Sequence, residues 1–252
     1  MEMEIVPPHH PEPSQAHAAL QRCREEAPLL ETLSIHILHS MQEDHYSHAP
    51  VPLFAGHVPR LSSCSITSFN FGWDQKLLTG LRVLKLGGYW NGFSPSVDVI
   101  LNILRACPKL EAFALRNLSD VECGSTEIHT EGRAGDHKMI SLPRLTCLSF
   151  YYAGIARTNA IMSVLSLPAL ENVELCYLDD VSPVIEHLRR QSLTTLPLKH
   201  IRIESSFFSE LKLVRLLHRL PSLTSLELVD AEDASSHLFK VRSVRFSIGS
   251  SH

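Results

Sequence analysis

Four histidines, His36, His39, His45 and His48, fall at H-x2-H-x5-H-x2-H spacing. Imidazole is the commonest metal ligand, so the chemistry open to this stretch is a transition-metal site and a metal-dependent or otherwise catalytic domain built on it. No carboxylate or cysteine is arranged to complete the shell. The competing expectation is a polar loop after the first strand, which tight one-site zinc binding, lost in His39→Ala, would overturn. His9 and His10 lie in a Pro-rich tail. The six cysteines, Cys23, Cys64, Cys107, Cys123, Cys147 and Cys176, form no CxxC pair and suit reduced thiols buried as small hydrophobes. Cys147 and Cys176 are expected roughly 13 Å apart along neighbouring strands, beyond disulfide reach. GxSxG, Walker A, GxGxxG and HExxH are all absent. No catalytic residue, metal or cofactor is therefore expected.

The elements that would position any site come from the leucines. The chain has 252 residues, of which 38 are Leu and 44% are hydrophobic. Lys+Arg 23 against Asp+Glu 27 gives a formal charge of −4, which argues against nucleic acid or an anionic membrane as partner. No signal-peptide h-region or membrane-length apolar run is present, and a cytoplasmic or nuclear location is expected.

A phrase P-x-L-x-x-L-x-L recurs, beginning at Pro28 with Leu30/Leu33/Ile35. Its apolar triplets return as Leu61/Cys64/Ile66, Leu81/Leu84/Leu86, Leu110/Phe113/Leu115, Leu145/Leu148/Phe150, Leu170/Val173/Leu175, Leu198/Ile201/Ile203 and Leu223/Leu226/Leu228. A weaker Val241/Val244/Phe246 follows. First positions fall 18–35 residues apart, near the spacing of leucine-rich repeats. One such unit cannot offset the entropy of ordering itself, so units must stack. The expected fold is α/β: a leucine-rich-repeat solenoid with a parallel concave sheet and outer helices, in eight to nine irregular repeats. Helices are expected over Ser14–Glu26, Ser96–Ala106, Ala156–Leu165, Pro183–Arg190 and Phe208–Arg219. Residues 1–13 are expected to be a disordered tail and 14–248 the solenoid, with a flexible loop about 119–139. Gly87-Gly88 suits a turn.

The run Val51-Pro-Leu-Phe-Ala-Gly-His-Val-Pro-Arg-Leu61 resembles the P-x-x-L-F-x-G-x-x-P-x-L phrase of leucine-rich-repeat proteins abundant in mushroom-forming fungi. Phe71-Gly-Trp73, Leu77-Leu-Thr-Gly-Leu81 and Leu104-Arg-Ala-Cys-Pro-Lys-Leu-Glu111 extend the similarity, which covers roughly residues 25–230. In that family the repeats usually follow an F-box that docks to a ubiquitin-ligase scaffold, and the repeats hold substrate. Nothing upstream of Ala27 gives the Leu-Pro-x-Glu phrase of an F-box. The resemblance thus implies the substrate-recognition half alone, with a ligase adaptor as partner only if an F-box lies upstream. A truncated, non-functional fragment with unsealed repeats is a further alternative, since solenoids need capping units.

Counting each triplet's first apolar as position 0, positions +2, +4 and +6 should face away from the core. The charged residues there are Lys85, Arg116, Glu174, Arg202, Glu204, Glu227 and Arg245, a mixed surface suited to protein recognition. Aromatics gather just after the strands: Phe69, Phe71, Trp73, Tyr89, Trp90, Tyr151, Tyr152, Tyr177, Phe207 and Phe208. They either close the core as a stacked spine, or Trp90, Tyr151, Tyr152 and Tyr177 anchor a partner on the rim.

Overall fold

A computed structural model describes residues 2–5, 19–20, 22–37, 50–73, 76–89, 94–118, 139–193, 196–231 and 245–249, with backbone alone for the first and last of these segments. The P-x-L phrase is a turn. Ala27–Leu30, Val58–Leu61, Cys107–Leu110, Leu142–Leu145, Leu167–Leu170 and Leu220–Leu223 each close an i to i+3 backbone hydrogen bond of 2.9–3.2 Å. In all six, proline occupies the second turn position, where its fixed φ is already that of the turn. The carbonyl at +1 of each repeat then accepts two N–H groups from the next repeat; Glu111, for example, accepts from Thr146 and Cys147. This pairing starts every strand at the same height.

Strands follow at β1 (Glu2–Ile5), β2 (Thr32–His36), β3 (Ser63–Thr67), β4 (Val83–Tyr89), β5 (Ala112–Leu118), β7 (Cys147–Tyr151), β9 (Asn172–Cys176), β10 (His200–Glu204), β11 (Ser225–Val229) and β12 (Arg245–Gly249). They form one ten-stranded sheet in chain order, every pair parallel. A two-stranded parallel sheet joins β6 (Ile140–Ser141) to β8 (Leu165–Ser166). Register holds without slippage: Leu33, Cys64, Leu84, Phe113, Leu148, Val173, Ile201, Leu226 and Phe246 lie in one row. The fold is an α/β leucine-rich-repeat solenoid. Helices α1 (Val97–Ala106), α2 (Ile155–Ser163), α3 (Ser182–Gln191) and α4 (Glu210–Leu217) follow β4, β7, β9 and β10. The Ser96 hydroxyl caps α1 by accepting from the Val99 N–H, as the position of that serine suggests. The buried sides of the helices and the strand triplets make one continuous core.

A backbone feature invisible in the triplets repeats at +7. Ser68, Gly88, Asn117, Tyr152, Tyr177, Ser205 and Asp230 all have φ between 43° and 71°. Strand alternation would turn +7 inward, but a left-handed residue delays the phase by one. Position +8 is buried instead, in Phe69, Tyr89, Leu118, Ala153, Leu178 and Ser206. Gly88 has a second reason to lack a side chain, because its Cβ would stand 2.1 Å from Ser68 Oγ. Gly87, expected in a turn, belongs to β4, where a Cβ would meet the Arg116 carbonyl oxygen at 2.9 Å.

Several expectations are corrected. Glu2–Ile5, inside the stretch expected to be a disordered tail (residues 1–13), pairs with β2 as a strand additional to those of the nine triplets. The last repeat is shifted by two: Phe246 pairs with Leu226 and Ile248 with Leu228, so Phe246 and Ile248 take the places assigned to Val244 and Phe246. Arg245 accordingly pairs with Ser225, at +2. Of the helix expected over Ser14–Glu26, Ala19 and Leu20 are helical and Arg22–Arg24 form a turn; 14–18 and 21 lie outside the described residues. So does the expected loop, apart from Met139. No helix among the described residues is long and apolar enough to cross a membrane.

Candidate partner-binding face

One face of the sheet carries the core; the other is left open to its own side chains. Two rows floor it, aligned by register. The +4 row runs Ser34, Ser65, Lys85, Ala114, Ser149, Glu174, Arg202 and Glu227, and the +6 row His36, Thr67, Gly87, Arg116, Tyr151, Cys176, Glu204 and Val229. Every charged residue expected on this face from Lys85 to Glu227 is on it. Lys85 and Arg116 are exposed, while Glu174, Arg202, Glu204 and Glu227 are half-buried.

Three tyrosines gather at the strand ends. Tyr152 and Tyr177 stack with centroids 4.4 Å apart at 16°, and Tyr151 meets Tyr177 edge-on at 4.9 Å and Tyr152 at 5.2 Å. The left-handed backbone at +7 holds the two stacked rings outward, and Tyr152 stays 45% exposed. A tyrosine with φ near +50° is costly for a residue with a Cβ, by about 1–2 kcal/mol. The remaining aromatics divide. Phe69, Phe71, Tyr89 and Phe208 are buried and Trp73 packs against Phe71 and Tyr89, so the spine reading describes these residues. Tyr151, Tyr152 and Tyr177 stand on the rim instead. Phe207 is 58% exposed, and Trp90 lies outside the described residues.

The tyrosine group continues into an ion network. Tyr177 donates its hydroxyl to Glu204 Oε1 at 2.8 Å. Arg202 donates Nε and Nη2 to Glu204 Oε2 at 3.1 and 2.6 Å, and Nη1 to Glu227 Oε2 at 2.8 Å. Burial works to raise Glu204, whose side chain is 12% exposed, but the hydrogen bonds from Arg202 and Tyr177 and the Arg202 charge prevail and hold it below the ordinary carboxylate value. The hydrogen bond to Glu204, with burial and the carboxylate charge, pushes Tyr177 up to about 12. A raised pKa favours the protonated folded state, so the Tyr177 contribution is full below the ordinary tyrosine pKa near 10 and is lost as pH rises through about 12. Glu204 is the opposite case: its contribution is present above the ordinary value and lost as pH falls through its lowered one. In absorbance titration, the step removed by Tyr177→Phe should lie near 12, and Glu204→Gln should return it towards 10. A Tyr177 step near 10 in the wild-type chain would contradict the pairing.

Cys176, expected on the open face by alternation, is buried; burial first and then the Glu204 charge push its thiol up to about 11. Cys64 sits in the core as expected, with its thiol pushed by burial to about 12. Neither is a thiolate nucleophile at neutral pH. His36 spends both ring nitrogens on hydroxyls, Nε2 with Ser34 Oγ at 2.9 Å and Nδ1 with Thr67 Oγ1 at 3.1 Å. His39, His45 and His48 lie outside the described residues, and among those described no group of three or more metal-ligating side chains forms.

No family model and no curated protein matches the chain. Among solved structures, it is similar to internalin C2 (inlC2) from Listeria monocytogenes, at 14% identity over 81% of this chain and 76% of that one, with a TM-score of 0.41.

Sequence reasoning missed the left-handed row and the buried Arg157 on α2, 1% exposed, which donates Nη1 to the Ala153 carbonyl at 3.1 Å. Arg157 stands one helical turn before the buried Ile161. Helical spacing alone therefore pointed it inward, against its residue type.

Proposed function

We propose that the chain is a non-enzymatic protein-interaction scaffold that binds a partner polypeptide on the open face of the sheet, in the role of the substrate-recognition repeats of an F-box type ubiquitin-ligase subunit. The observation that carries the scaffold reading is the rim patch of Tyr151, Tyr152 and Tyr177 beside the charged +4 and +6 rows. Tyrosines held rigid with one polar end are frequent energetic centres of interfaces. Lys85, Arg116, Glu174, Arg202, Glu204 and Glu227 supply charges of both signs for register and partner choice. The ligase role is supported by the Val51–Leu61 phrase and its sequels. That phrase serves packing: Val51, Leu53, Phe54, Val58 and Leu61 are buried, and the Phe54 N–H donates to the Cys23 carbonyl at 2.7 Å. Such a role places the protein in the cytoplasm or nucleus.

Proximity labelling in the native cell, with the wild-type chain beside a Tyr151→Ala/Tyr177→Ala variant, tests both levels. The scaffold reading expects a defined protein set labelled by the wild type and lost with the folded variant. The ligase reading expects that set to accumulate when the proteasome is inhibited. Identical labelling by both chains would remove the open face from the account.

A further inference from the structure

We infer that the occupant of the open face is an extended peptide segment lying across the strands, with an acidic and a basic residue four positions apart. This rests on the docking role proposed above and names its partner's chemistry. Lys85, Ala114, Ser149 and Glu174 occupy one row on the consecutive strands β4, β5, β7 and β9. The side chains of Lys85, Arg116 and Glu174 make no hydrogen bond or ion pair among the described residues. Arg202, next to Glu174 in register, is engaged by Glu204 and Glu227. The face therefore carries two cations on β4 and β5. On β9–β11 three carboxylates face a single guanidinium.

Three strand spacings separate Lys85 from Glu174, roughly 14 Å, and an extended peptide covers that distance in about four residues. Between the two ends the floor is low, because the intervening residues of the row, Ala114 and Ser149, have short side chains. Tyr151 and its tyrosine partners bound this trough on one side. β-Augmentation is closed to an occupant of this face, since β2–β5, β7 and β9–β11 are each paired on both sides. Recognition must come from side chains. An acidic residue fits over Lys85 and Arg116; a lysine or arginine fits over Glu174, with its aliphatic stem along Tyr151.

The test is selection of a phage library of fully random nine-residue peptides on the full chain. Wild type should enrich peptides with Asp or Glu four positions from Lys or Arg, in either order. Glu174→Lys should enrich two acidic residues at that spacing, and Lys85→Glu/Arg116→Glu two basic ones. A wild-type-selected peptide should bind either variant about tenfold more weakly. These positions lie outside the core, and unchanged melting temperatures would confirm folding. Enrichment indifferent to the three charges overturns the charge-pair inference; if those peptides still depend on Tyr152, the docking role stands. Absence of any peptide that depends on the open face overturns both.

Discussion

Truncating Phe150 to alanine should lower the stability of the chain by about 3–5 kcal/mol in urea denaturation followed by circular dichroism. Phe150 is fully buried at +5 of β7 and meets Phe113 of β5 edge-to-face, with centroids 6.2 Å apart. In a solenoid each repeat is held by its two neighbours, so the cavity weakens two interfaces at mid-array. The adjacent residue on the same strand gives the control. Tyr151, on the open face, should lose less than about 1 kcal/mol when truncated, as a part-exposed residue outside the core does. A cost below about 1 kcal/mol for Phe150→Ala, or equal costs for the two, would contradict the assignment of faces.

The second large effect concerns binding. Tyr152→Ala should weaken capture of the labelled partner by on the order of 30-fold, equivalent to about 2 kcal/mol, while the melting curve moves little. Both halves follow from one backbone fact. The +7 residue is left-handed, so the Tyr152 ring leaves the core and stacks on Tyr177 in view of solvent. Alanine keeps the same backbone strain, and only the exposed ring and its stacking are lost. Titration of purified partner onto the two chains reads the affinity. Loss of folding in Tyr152→Ala would return this tyrosine to the spine, and unchanged affinity would remove it from the interface.

How far these features are visible in the sequence depends on whether a residue type or a backbone angle carries them. The 0/+3/+5 triplets are legible because aliphatic residues at fixed spacing serve a single purpose. The turn is legible because proline at its second position is the residue that its φ favours. Position +8 is not, since Phe69, Tyr89, Leu118, Ala153, Leu178 and Ser206 share burial without sharing a type. What makes them equivalent is the left-handed residue before each, and that residue ranges from Gly88 to Tyr177. β1 escapes notice because Met3 and Ile5 hold only the second and third positions of a triplet, without the turn that flags the others. The candidate face is legible as parity along the strands. Its internal pairing is not, because both Glu174 and Glu227 neighbour Arg202 in register and only Glu227 bonds to it.

The central claim is that the open face of the sheet holds the partner. A photo-reactive benzoylphenylalanine placed at Val229, on the open face beside Glu204, or at Leu211, exposed on α4, tests it in one experiment. Irradiation in the presence of the labelled partner set should join it to the chain from position 229 and not from 211. Cross-linking from Leu211 alone would place the partner on the helices and contradict the account.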